Sequence, residues 1–307
     1  MIPGQAEPPP EGSPSAGLRA VDRSDAQPVV AVASTGIAVP PPEHVVRAFA
    51  ATASATEPPE LLSSGRGRTW RCGNIVIKPA PDPAVASWLA NTFEQLPVTG
   101  VRLARPVRSS DGRWVIAGWS AQRFVSGSPA PRHDEIMLAG IAVHEALAGV
   151  GEPRFLRERT DLRSWADRLS WDEVQDDDGR TGSGHGAQLF ASIADGRRPI
   201  EVNNQVVHGD LYGNVLFAGS APPAVVDIVP YWRPAGWAAA VVAVDALARG
   251  GAPIELLAEW DRWPEWPQLL RRALLFRLAV GLAHPRTPPT DLVILLATAE
   301  RLIPYLG

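Results

Sequence analysis

The stretch Val206-Val207-His208-Gly209-Asp210-Leu211-Tyr212-Gly213-Asn214-Val215-Leu216 sets a polar centre between two apolar runs. Val206-Val207 reads as the end of a buried strand and Val215-Leu216-Phe217 as the start of another. His208, Asp210 and Asn214 lie between them, and polar groups between buried strands cost free energy unless they are paired or employed. An Asp and an Asn on one short loop suit a divalent cation, and the Asp can also accept a hydroxyl proton. After a turn at Pro222-Pro223, the run Ala224-Val225-Val226 delivers a third oxygen ligand, Asp227. Asp, Asn and Asp on adjacent strands form the metal-and-base set that phosphoryl transfer requires.

His208-Gly209-Asp210-Leu211 followed by Asn214 and Asp227 resembles the catalytic segment of the aminoglycoside phosphotransferase and choline kinase-like family, within the protein-kinase-like superfamily. That resemblance implies Asp210 as the catalytic base, Asn214 and Asp227 as magnesium ligands, and His208 as a brace for the loop. The gap from Asp210 to Asn214 is one residue shorter than in the family, and Gly213 can absorb the change because glycine takes positive φ without penalty.

Upstream, Leu61 to Ala80 reads as strand, Gly-containing turn, strand, tight turn at Gly73-Asn74, and strand ending at Lys78. Lys78 is the sole lysine among 29 basic residues, which marks a position where a compact ammonium is wanted rather than a guanidinium fork. The order of Gly-rich turn, strand Lys and distant His-x-Asp resembles a kinase nucleotide lobe, with backbone around Ser64, Gly65 and Gly67 over the phosphates of ATP or GTP. By the same resemblance, Glu94 in a helix over 82–96 holds Lys78, the alternative being a solvated helix charge. Two further strands are expected, around Leu103–Arg108 and Trp114–Phe124, after which Phe124 and Val125 resemble the hinge between lobes, whose backbone would read the base.

Composition leads one to expect a disordered Pro/Ala-rich tail (1–41), and the resemblance implies a nucleotide-binding lobe (42–127) and a catalytic and substrate lobe (128–307). Helices are expected from 132, over 160–174, 187–194 and 237–248, and near the C-terminus. Tyr231, Trp232 and Arg233 offer two flat rings and a fork for a substrate mouth; the alternative is a packed loop. Asp245, inside an apolar helix, must be hydrogen-bonded, and the resemblance gives it the backbone of the catalytic loop. The acidic run 172–178 matches the place where related antibiotic kinases hold cationic substrates, and otherwise reads as a solvated loop.

A net charge of −4 argues against a general nucleic-acid binder, and no apolar run reaches membrane-spanning length. One cysteine, Cys72, permits no disulfide within the chain and fits a reducing cytoplasm. The expected fold is therefore α+β and bilobal, protein-kinase-like, with a small antiparallel β lobe carrying one helix and a larger, mainly helical lobe. The expected function is magnesium- and ATP- or GTP-dependent phosphorylation of a hydroxyl on a small molecule. The alternatives are a nucleotide-binding pseudokinase acting as a scaffold and a kinase with a protein acceptor. The oligomeric state is left open.

Overall fold

The computed structural model describes residues 39–53, 58–62 and 68–307. The expected tail thus lies outside the described residues except for 39–41. Helix α1 (Glu43–Ala53) precedes strands β1 (Glu60–Leu61), β2 (Trp70–Cys72) and β3 (Ile75–Pro79), which pair antiparallel in sequence order. Gly73, at φ 59°, opens the two-residue turn between β2 and β3, a position where a side chain would be strained. Period-2 alternation then divides β3. Ile75 and Ile77 pack with Val45 and Phe49 of α1, so Lys78 falls on the opposite face with Val76.

Asp82 caps α2 (Pro83–Glu94), accepting from the amides of Ala84 and Val85, with Pro83 at the first turn. Two short strands follow, β4 (Arg102–Leu103) and β5 (Pro106–Val107). The run expected as one strand over 114–124 is a hairpin, β6 (Val115–Ile116) and β7 (Trp119–Arg123), because Ala117 and Gly118 both take positive φ. The first sheet runs β1-β2-β3-β7-β5, with β6 pairing β7.

Beyond the short strand β8 (Ser128–Pro129) the chain turns helical, with α3 (His133–Leu147), α4 (Arg154–Glu158), α5 (Leu162–Ser170) and α6 (His185–Asp195). The polar centre then bridges two small sheets. Strand β9 (Gln205–His208) enters it, and β10 (Val215–Phe217) and β11 (Ala224–Val225) leave it as a hairpin. Strand β12 (Pro230–Arg233) returns to pair with β9, while β10 also pairs β8 and β11 runs parallel to β4. Helices α7 (Ala235–Arg249), α8 (Leu256–Trp260), α9 (Trp266–Ala283) and α10 (Pro289–Leu302) complete the described fold. Helix α7 is buried almost all round, as its apolar sequence requires. Trp237 on α7 meets Tyr231 and Phe276 at ring-centroid distances of 5.3 and 5.4 Å, anchoring β12 and α9 to one core. No described helix is long and apolar enough to cross a membrane.

Candidate active site

Glycine 209 is what lets β9 turn into the site. A Cβ there would lie 2.4 Å from Tyr231 Cδ2, so only glycine fits the close pairing with β12. His208 is buried and its Nδ1 accepts from the amide of Asp210 at 3.2 Å, while its own amide donates to His144 Nε2 at 3.0 Å. Burial pushes the His208 imidazole down to about 4 and the His144 imidazole down to about 3, so both are neutral acceptors at neutral pH. The loop carrying Asp210 is thereby held by two uncharged rings. Gly213 takes φ 93°, and Asn214 Nδ2 donates to the Asp210 carbonyl at 2.6 Å.

The Val226 amide donates to the Asn214 carbonyl at 3.0 Å, which sets Asn214 and Asp227 side by side. Asp227 adopts φ 48°, a left-handed conformation that Asp tolerates better than most residues. Its Oδ1 accepts from Lys78 Nζ at 2.7 Å, and both side chains are 28% exposed. The lysine of β3 and the carboxylate after β11 therefore meet in space, 149 residues apart in sequence.

Glu94 is not Lys78's partner. It makes a two-pronged ion pair with Arg108, whose guanidinium also lies 3.8 Å from the centre of the Trp114 ring. Arg108 draws Glu94, the last residue of α2, away from the site. The face of α2 nearest Lys78 is instead apolar. Val85, Ala86, Leu89 and Phe93 line a cavity of about 230 Å³ that also borders Lys78 and Asp227.

Asp210 is held by two arginines that sequence reading did not single out. Arg277 of α9 donates to Oδ1 and Arg163 of α5 to Oδ2, each at 3.0 Å. Arg277 also donates to Asp245, which pairs with Arg249 at 2.9 Å. Asp245 thus supports the loop through the Arg277 side chain rather than by bonding its backbone. These carboxylates keep the buried Arg277 charged despite its desolvation. The advance signal for Arg277 was a charge set between Phe276 and Leu278 in a largely apolar helix that also carries Arg271 and Arg272.

Of the two readings of 231–233, the side chains take the packed loop. Tyr231 is buried in the core, where desolvation raises its hydroxyl to about 12. Arg233 is buried in a network with Asp167 and Glu173, and Trp232 packs half-buried against the core. The amide of Phe124 donates to the Asn74 carbonyl, Arg71 lies 4.0 Å over its ring, and Val125 follows it out of β7. Ser64, Gly65 and Gly67 lie outside the described residues. Among the described residues no group of three or more His, Cys, Asp or Glu side chains is placed to hold a metal.

No protein-family model matches the sequence, and no curated protein matches it. Solved structures do match in fold. A microcompartment-associated aminopropanol kinase aligns at 17% identity with a TM-score of 0.56, over 82% of this chain and 94% of its own. An amicoumacin kinase solved with AMP-PNP and Ca2+ aligns at 12% identity with a TM-score of 0.54, over 85% and 92%. Aminoglycoside phosphotransferase APH(4)-Ia, a thermostable mutant complexed with AMP-PNP and hygromycin B, aligns at 12% identity with a TM-score of 0.51, over 86% and 99%. The chain thus has the α+β protein-kinase-like fold, with an antiparallel sheet before a larger helical part, that is seen in aminoglycoside phosphotransferases and other small-molecule kinases.

Proposed function

We propose that this chain is a kinase that transfers the terminal phosphate of ATP or GTP to a hydroxyl group of a small molecule. The observation that carries this reading is the 2.7 Å contact between Lys78 and Asp227, with Asp210 and Asn214 on the neighbouring loop. Residues 42–127 serve as the nucleotide lobe and 128–307 as the catalytic and substrate lobe.

Asn214 and Asp227 fit a magnesium ion by donor chemistry, since an amide oxygen and a carboxylate oxygen are hard ligands on adjoining backbone. Bound there, the ion would neutralise phosphate charge. Lys78 is exposed enough to exchange its carboxylate for phosphate oxygens when nucleotide enters. Asp210 orients the acceptor and takes its proton as the acceptor oxygen bonds to the terminal phosphorus. The bond to the bridging oxygen breaks, and the nucleoside diphosphate leaves with that electron pair.

Radiolabelled ATP, magnesium and a broad panel of hydroxyl compounds test this reading on the full chain. Asp210→Asn is expected to lower turnover by ~10²–10⁴ with nucleotide affinity retained. Turnover equal to that of the parent would remove Asp210 as the base. A second reading, nucleotide binding without transfer, is favoured by the arginines on both Asp210 oxygens. Magnesium-dependent nucleotide binding with no label in any compound or protein would select it.

A further inference from the structure

The two arginines on Asp210 are not equivalent. Arg277 is 9% exposed and also bound to Asp245, so it is fixed from two sides. Arg163 is 25% exposed, and among the described residues its guanidinium hydrogen-bonds to Asp210 alone. It occupies the first turn of α5, whose cap is Asp161, and Asp161 also pairs with Arg159. Arg159 in turn lies over the Tyr231 ring and donates to the Pro230 carbonyl. Asp210 itself is buried, and the more exposed of its two arginines is Arg163.

The acids that would receive a cationic acceptor are engaged elsewhere. Asp167 and Glu173 pair with Arg233, Asp172 with Arg197 and Asp178 with Arg180. Asp176 accepts from the Thr181 hydroxyl and backbone. Of the run 172–178, Asp177 alone among its acids has no such partner among the described residues.

We propose that Arg163 is an acceptor-binding residue and that the acceptor carries an anionic group, a carboxylate or phosphate, beside its reactive hydroxyl. The anion draws the Arg163 guanidinium off Asp210 and uncovers the oxygen that receives the proton. A planar fork suits either oxyanion, and the exchange replaces one charge-assisted pair with another of similar strength. A neutral or cationic alcohol offers no such exchange and leaves Asp210 covered. This inference rests on the kinase reading, and it accounts for a base that is blocked until its substrate arrives.

The test uses one sugar ring in four charge states: glucuronate, glucose 6-phosphate, glucose and glucosamine. Each is titrated by calorimetry into the full chain with ADP and magnesium, and each is assayed with ATP alongside the wider hydroxyl panel. At least one anionic ring is expected to bind tenfold or more tightly than glucose and glucosamine, and glucuronate against glucose 6-phosphate tells carboxylate from phosphate. Arg163→Ala should abolish that preference and raise KM for the best anionic acceptor at least tenfold, while Arg163→Lys recovers part of both. Lys78→Ala should leave it in place, which separates the acceptor anion from the nucleotide phosphates. A best acceptor that is neutral or cationic, an anion preference unmoved by Arg163→Ala, or no anion preference at all overturns the proposal. Absent ADP binding would instead overturn the kinase reading, and the anion titrations would still report on Arg163.

Discussion

Asp227 and Asp210 sit on either side of one loop system, yet they are held in opposite ways. Asp227 meets a lysine, with both partners 28% exposed. Asp210 meets Arg277 in a buried cluster that also contains Asp245, 3% exposed. A partly exposed ammonium pair is screened and exchanges partners readily, so it contributes little to stability. A buried guanidinium shared by two carboxylates cannot leave without stranding charges in low dielectric. Under the proposed function, the first arrangement suits a site that must open to phosphate, and the second suits a base that must stay in place.

Arg277→Ala should break the contrast most severely. It strands Asp210 and Asp245, and should cost ~3–5 kcal/mol, read as a lower urea midpoint with unchanged slope. Acidification should come next. Between pH 6.5 and about 4, unfolded His144 and His208 take up protons that their buried forms refuse, so stability falls as pH drops through that window. Each histidine contributes at most about 1.4 kcal/mol per pH unit, and His144→Gln should flatten the slope of unfolding free energy against pH. Lys78→Met should change stability by less than about 1 kcal/mol while weakening nucleotide binding in a magnesium-dependent titration. A stability loss as large as that of Arg277→Ala would erase the distinction between the two clusters. The smallest effect belongs to Glu94→Gln, with turnover within about twofold of the parent and a stability change of about 0–1 kcal/mol. A large drop in turnover would mean that Glu94 leaves Arg108 for Lys78 when nucleotide binds.

The fold was legible because local signals agreed with one another: the Gly73-Asn74 turn, the Asp82-Pro83 helix start and the apolar run of α7 each pointed to the element that formed. In the site, the positions of polar residues were legible and several of their partners were not. Glu94, Arg233 and Asp245 each carried a charge that had to be answered, but the answering groups came from Arg108, Asp167 with Glu173, and Arg277. Those pairings depend on tertiary packing, which periodicity does not encode. The 114–124 run was read as one strand because its apolar pattern continues across Ala117-Gly118, where only backbone φ reveals the turn.

The small sheet β4-β11-β10-β8 draws two strands from before residue 130 and two from after residue 214. A fragment starting at Ser128 would keep β8, β10 and β11 but lose β4, baring the backbone edge of β11 just ahead of Asp227. An open edge of that kind invites pairing with another chain. Expressed apart, the helical part should therefore self-associate, and supplying a peptide that spans Arg102–Leu103 should suppress it.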